Sequence, residues 1–425
     1  MPDKDLLPEW QGIVSAVVVD KEYSVDKANM EPEDKDLESA MNMLVCDRDK
    51  KDYDWQSDIY IPDYASMHWT QIGELVSQYF TSSEKVDCIP GSDPLDVMKG
   101  KAGKEFLNYH LNARYMHHLQ KFIRQNSFTR LAGWVVLKIF YESNIEIRQE
   151  IIGERKVARE TGIDIYGAPI ETSPYPAKVV MDKEPIYQDV KIVHTDRPNY
   201  EVWPNQDFFT DNKYVYSLQD KDHCIFRSDE KLSKLIECAE MCQYFNLELL
   251  DQDTETETAN ATWNKQNKAG DPYERIIQKW NPDVESLERW GKWPIVHDEE
   301  GNMLPDEEAS KKAGFFIPQN AIQMDGTVAD GAMPVEMIIS IANINNRKVL
   351  IRFQPNMPEY GGYGMRPMTR LLCYVHPTKD RGIGDGMYAK ELQQAINDNF
   401  NMGNDRSQMA TFPPVKKKRL SLLDN

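Results

Sequence analysis

The strongest constraint this chain places on its own fold is a run near the C-terminal end. Gly382-Ile383-Gly384-Asp385-Gly386 leads into MYAKELQQAINDNFNMGNDRSQMA, and Thr411-Phe412-Pro413-Pro414 closes it. A glycine-rich start, about 25 residues whose only breaker is Gly403, and a Pro-Pro stop predict one long helix between two turns. At 1.5 Å per residue it would run roughly 37 Å, the span of a whole domain. Projected at about 100° per residue, Ala389, Leu392, Ile396, Phe400 and Gly403 share one side. Lys390, Gln394, Asn397, Asn401, Asp405 and Gln408 share the other. That polar side is rich in Asn and Gln and poor in charge, whereas a solvated helix carries Glu, Lys and Arg in i,i+4 pairs and avoids Asn. Uncharged polar side chains suit a surface along which something charged slides without sticking. The bland reading is an amphipathic helix with an odd polar face.

The chain is 425 residues long, enough for more than one core. Its 28% charged and 40% hydrophobic residues describe a rather polar globular protein. No run approaches 18 apolar residues, and MPDKDLLPEW lacks the basic and apolar regions of a secretory leader, so no membrane partner is expected. Six cysteines without a CxxC pair are too sparse for a disulfide framework and fit folding in a reducing cytoplasm. A net charge of −19 argues against a protein that grips nucleic acid over a broad surface. The charge is uneven: residues 1–60 hold 16 acidic and 7 basic side chains, while 104–160 hold 10 basic and 6 acidic.

Periodicity predicts an acidic loop over DKANMEPEDKDLESAMN leading into a short helix, a helix over 62–80, and one long helix over 94–127. LAGWVVLKIFY (131–141) reads as a buried strand, Gly167–Pro185 as a long hairpin or excursion, and 186–203 as strands ending at Pro204. Ser228 offers an N-cap, with Leu232, Leu235, Ile236, Ala239, Cys242 and Phe245 on one face of a helix over 228–250. A polar linker, 251–270, then precedes a mixed α/β unit in which Asn345-Asn346 looks like a hairpin turn. The fold class is α+β.

The chemical constellations are sparse. His110, His117 and His118 lack a completing ligand set and read as surface or polymer-facing histidines. Cys238 and Cys242, near His223, sit among apolar residues and read as buried, inert thiols. The Asp251–Glu257 run lacks the glycine of a calcium loop. Gly361-Gly362-Tyr363-Gly364 is no phosphate loop, and neither G-x-S-x-G nor H-E-x-x-H occurs. No catalytic residue, metal or cofactor is expected. Lys416, Lys417, Lys418 and Arg419 could contact phosphates as point charges, or belong to a solvated end or an inter-subunit salt bridge.

Four segments resemble one family in order. Gly382-Ile383-Gly384 followed by Gln394 and Asn397 looks like the G-x-G, x-x-Q-x-x-I-N helix of tailed-bacteriophage portal proteins, the head-to-tail connectors, here of podovirus type. Trp55-Gln56-Ser57-Asp58-Ile59 with Pro62 is similar to their W-x-S-x-I-x-x-P opening. Ala102, Asn108 and Leu111, then Gly133-Trp134-Val135-Val136-Leu137-Lys138 and Tyr141, look like the block that follows. Arg197-Pro198, Val202, Pro204, Asp207-Phe208-Phe209 and Asp211 resemble the V-x-P-x-D-F-x-x-D turn of the wing.

The resemblance implies a portal fold: a mixed α/β wing (1–227), a first stem helix (228–250), a small α/β clip with its linker (251–381), a second stem helix (382–412) antiparallel to the first, and a basic tail (413–425). Portal chains continue from there into the rest of the wing and a helical crown, which this sequence, ending at Asn425, does not include. By the same resemblance, twelve copies form a ring at one capsid vertex of a virion assembled in the bacterial cytoplasm. The ring would be a passive channel for double-stranded DNA. The terminase large subunit would dock on it during packaging, head-completion, adaptor and tail proteins afterwards, and major capsid and scaffolding proteins would surround it. Lys390, Gln394, Asn397, Asn401, Asp405, Gln408 and Lys416–Arg419 would then face the channel. Leu392, Ile396, Phe400, Leu232, Leu235 and Ile236 would pack the stem. Two other classes stay open: a virion adaptor or structural protein without a DNA channel, and a nucleic-acid-processing enzyme with a diffuse acidic metal site.

Overall fold

The structure, a computed structural model, describes residues 9–47, 57–164, 177–252, 283–344 and 347–411, apart from positions 90, 92, 212, 216, 324, 325 and 378, together with 169 and 171. The described chain divides into two compact units, one made of residues before 139 and after 200, the other of Ile139–Tyr200.

The first unit opens with α1 (Glu9–Val45), a 37-residue helix that runs through the stretch expected to be a loop. Ala16, Val19, Tyr23, Asp26, Met30, Leu37 and Ala40 are buried along it. They fall three, four or seven apart on one stripe, and burial of that stripe outweighs the missing N–H of Pro32. The buried Asp26 hides the pattern from a hydrophobicity reading. Its carboxylate receives His223 Nε2 at 2.7 Å, while Glu22 takes Arg289 at 2.5 and 3.1 Å, so α1 is held by charge as well as by apolar contact.

Helices α2 (Asp63–Phe80), α3 (Pro94–Asn112) and α4 (His118–Ala132) follow. The single long helix expected over 94–127 is two, because the chain turns through a short 3-10 segment and His117 takes a left-handed conformation, φ 47°. β1 (Trp134–Asp164) begins directly after Gly133, and β2 (Ala177–Trp203) returns. Within the first unit, Trp134–Lys138 of β1 pair antiparallel with β8 (Met368–Leu372). In the second unit, Arg197 and Asn199 both donate to the carboxylate of Glu142, at 2.9 and 2.6 Å.

A five-stranded antiparallel meander forms the centre of the first unit, in the order β3 (Phe208–Thr210), β4 (His223–Lys231), β5 (Asp283–Val296), β6 (Ala332–Ile344), β7 (Arg347–Pro355). Both faces are covered. Met337, Ile339 and Ile341 join Ala16 and Val19 of α1, while Ile338 joins Trp290, Phe226 and Trp134 on the other side. That is why β6 reads as a continuous apolar run rather than an alternating one. The pairing of Ile344 with Arg347 agrees with the predicted hairpin, whose turn residues lie outside the described set.

The helix expected over 228–250 is not formed. Ser228 pairs with Ser286 and Lys231 with Asp283, so the first four residues extend β4 instead of capping a helix. Beyond them the chain makes three short pieces, α5 (Leu232–Glu237), α6 (Ala239–Cys242) and α7 (Leu247–Gln252). Gln243 and Asn246 take positive φ, 53° and 57°, which no α-helix tolerates. The Phe245 N–H donates to Ile351 C=O at 2.9 Å, docking the break on β7. β4 pairs with β5 along nine residues, so the expected wing-to-stem boundary at 227/228 falls within one continuous strand of the sheet. The 253–270 part of the expected linker lies outside the described residues.

After α8 (Glu307–Ala313), the short strands β9 (Tyr374–Val375) and β10 (Gly382–Ile383) precede α9 (Asp385–Thr411), the long helix predicted from its glycine and proline boundaries. The glycines before and inside its first turn answer a packing demand. Gly133 has φ +88°, and a Cβ there would meet the Gly382 carbonyl oxygen at 2.4 Å. One at Gly384 would meet Leu131 O at 2.4 Å, and one at Gly386 the Ala40 methyl at 2.6 Å. The start of α9 is therefore pressed against the end of α4 and the flank of α1, where no side chain fits.

Candidate functional site

The candidate site is α9 and the elements that cover or leave open its sides. Residues 57–62 run past it without helix or strand assignment, and the helix receives this strap through side chains spaced four apart. Ser57 N–H donates to Asp405 Oδ1 at 2.7 Å, Ile59 N–H to Asn401 Oδ1 at 2.9 Å, and Ile61 N–H to Asn397 Oδ1 at 3.0 Å. Tyr64 N–H, at the start of α2, donates to Gln393 Oε1 at 3.0 Å. Donation also runs the other way: Asn401 Nδ2 reaches Ile59 C=O at 2.9 Å and Gln393 Nε2 reaches Ile61 C=O at 2.7 Å. Four helical residues rise about 6.0 Å and two extended residues about 6.6 Å, so one rung per helical turn meets every second amide of the strap.

This arrangement explains the odd composition of the polar stripe and corrects its expected role. Gln393, Asn397 and Asn401 are 3%, 6% and 0% exposed. A carboxamide can accept from a backbone N–H and donate to a backbone C=O at once, which neither Lys nor Glu can do. Asn397, Asn401 and Asp405 are thus engaged with the chain's own backbone in place of a polymer in a channel. Of the other residues expected to face one, Lys390, Gln394 and Gln408 are exposed, with Lys390 3.9 Å from Asp36. Lys416, Lys417, Lys418 and Arg419 lie outside the described residues.

The apolar side of α9 is the open one. Leu392 is 64% exposed and Phe400 45%, with Tyr388, Met402 and Met409 also exposed and Ile396 half-buried. Within the chain, then, Leu392 and Phe400 pack no stem. Leu232 and Leu235 are buried, but against Leu250, Val284 and Val349, and Ile236 points outward at 51% exposure.

The N-terminal end of α9 is fixed by an ion pair, Arg130 to Asp385 at 3.3 Å, beside buried Tyr64 and His68. Burial lowers the pKa of His68, and the Arg130 charge adds to that. His118, expected at the surface, is instead buried among the rings of Tyr79, Phe80 and Phe122. Burial, reinforced by Lys85 and Lys121, pushes its pKa down to about 4. His110 packs against Phe106, Tyr109 and Tyr115. His223 is engaged with α1 rather than with Cys238 or Cys242, and burial raises both of those thiols. Among the described residues no three His, Cys, Asp or Glu side chains gather closely enough to hold a metal ion, and no helix is long and apolar enough to cross a membrane.

The strap is the feature that sequence reading missed. Its signal was present: Gln393, Asn397, Asn401 and Asp405 recur every four residues with no charge pairing among the first three, beside an otherwise unassigned extended segment ending at Pro62. No family model matches the chain, and no curated protein matches it either.

Proposed function

We propose that this chain is a structural component of a tailed-phage virion that self-assembles through the open side of α9, and that the assembly is a portal-type ring. In this reading the ring sits at one capsid vertex, passes double-stranded DNA without sequence preference, and carries out no chemistry. Terminase, adaptor, tail, capsid and scaffolding proteins are the partners that such a ring would meet. The observation that carries the reading is the exposed row Tyr388, Leu392 and Phe400 on a 27-residue helix. At 1.5 Å per residue that helix is about 40 Å long, and a contiguous apolar flank of this kind marks an interaction surface. The four ordered motif resemblances supply the portal identity, and the surplus of acidic residues suits a conduit that does not bind its cargo tightly.

A second reading has its own support. Among the described residues, 228–250 is divided between β4 and three short helices, so the first of the two expected stem helices is not formed there. That favours an adaptor or structural subunit without a two-helix channel wall. Electron-microscopy class averages of the purified protein, with mass determination in solution, test both. Rings with an axial hole are expected; discrete oligomers without a hole support the adaptor reading, and a monomer at all concentrations overturns self-assembly.

A further inference from the structure

Next to the strap, α9 and the last turns of α1 border an open cleft of about 500 Å³, within the 300–1,000 Å³ typical of ligand clefts. Lys390, Gln394 and Asp398 line it from α9, Ser39 and Asn42 from α1, and Asp47 from just beyond the end of α1. We propose that this cleft binds an extended, basic peptide segment of another protein, read through its backbone amides in the way that the strap is read.

Three observations carry this. Lys390, Gln394 and Asp398 repeat at the four-residue spacing of the neighbouring ladder, so hydrogen-bonding groups again recur about every 6.0 Å, close to the two-residue repeat of an extended chain. Asn397, which also lines the cleft, spends its Oδ1 on Ile61 N–H and Gln393 Nε2, and among the described residues its Nδ2 has no protein partner. Charge then selects the side chain. Among the described residues neither Asp47 nor Asp398 has a cationic partner, while Lys390 lies 3.9 Å from the Asp36 carboxylate. Among the described residues two negative charges of the cleft are therefore without a cationic partner, and a Lys or Arg of the incoming segment would complete them. The backbone supplies affinity without sequence preference, and the two carboxylates supply the selection.

The test uses the full chain and three fluorescein-labelled octapeptides followed by anisotropy: alternating valine and lysine, the same peptide N-methylated at alternate amides, and alternating valine and glutamate. The first should bind saturably below about 1 mM, and N-methylation should weaken it about tenfold or more. The glutamate peptide should not bind. Gln394→Ala and Asp398→Asn, both at exposed positions, should each weaken the first peptide about tenfold while leaving the circular dichroism unchanged. Equal binding of the methylated peptide, no binding of the first, or indifference to both substitutions overturns the proposal. If Gln394→Ala abolishes self-association and the peptide never binds, the cleft belongs to a second copy and the proposal falls. Peptide binding does not require rings, so its absence is distinguishable from a failure to assemble.

Discussion

Asn401→Ala isolates one rung of the ladder that holds the strap. In the native chain Asn401 is fully buried and makes two bonds to one residue, accepting from Ile59 N–H and donating to Ile59 C=O, both at 2.9 Å. A typical intramolecular hydrogen bond contributes about 0.5–1.5 kcal/mol net, so the pair is worth about 1–3. Alanine returns up to about 0.7 kcal/mol of helix propensity, which the stranding of two backbone groups beneath α9 roughly offsets. The expected local loss is about 2 kcal/mol, roughly a 30-fold faster opening. Hydrogen exchange of peptides spanning 57–64, read by mass spectrometry, measures that opening directly, and the rest of α9 should exchange as before. Gln394→Ala, about two turns away on an exposed position, is the control and should leave the strap unchanged. If Asn401→Ala leaves exchange at Ile59 and Ile61 unaltered, the amide ladder does not hold the strap and the reasoning fails.

Gly384→Ala should cost about 1–3 kcal/mol, because its Cβ would fall 2.4 Å from Leu131 O and 2.6 Å from Arg130 O, both backbone atoms; an unshifted thermal midpoint would refute the close-approach account. His118 gives a pH dependence whose sign is set by its lowered pKa. Below the ordinary value near 6.5 the unfolded chain takes up a proton that the folded chain refuses until about 4, so stability is complete above 6.5 and falls through that window. His118→Phe should therefore remove on the order of 2 kcal/mol of the acid-induced loss between pH 7 and 4.5, seen as a smaller shift in urea midpoint; an identical shift in both proteins would contradict it. Leu392→Glu and Phe400→Glu, on the open side of α9, should abolish self-association while changing the stability of the individual chain by no more than about 0.5 kcal/mol. Sedimentation at matched concentrations decides this, since assembly at the wild-type level would place the contact elsewhere.

How much was legible in the sequence depended on whether local and tertiary demands agreed. α9 and α2 were readable because glycine or proline boundaries and periodicity coincide there, and β6 and β7 because a two-residue Asn-Asn link separates two apolar runs. α1 was not readable, since Asp26 occupies a core position and Pro32 interrupts the run, and only His223 and the neighbouring apolar packing make either tolerable. Over 228–250 the apolar spacing suits a helix, yet the first residues complete the edge of β5 and the rest must dock on β7 through Phe245. Long-range pairing won over local propensity, and nothing within that segment announces it. At the site, the projection put Asn397, Asn401 and Asp405 on one polar side with Lys390, Gln394 and Gln408, yet the first three bond the strap and the last three are exposed. Carboxamides look solvent-facing on any polarity scale, and only a backbone lying within reach turns them into buried partners.

The strap and α9 act as a vernier, two rulers of slightly different pitch laid side by side. Their repeats differ by about 0.6 Å, so three steps accumulate nearly 2 Å of misfit, as much as a hydrogen bond can absorb. The ladder ends accordingly: its last rung skips to Tyr64, after Pro62, which has no N–H to offer, and Asp63, which donates back to Ile61 C=O. Such a joint limits its own length. One residue added to either ruler would unseat every rung beyond it, whereas four added to the helix together with two added to the strap would pass almost unnoticed.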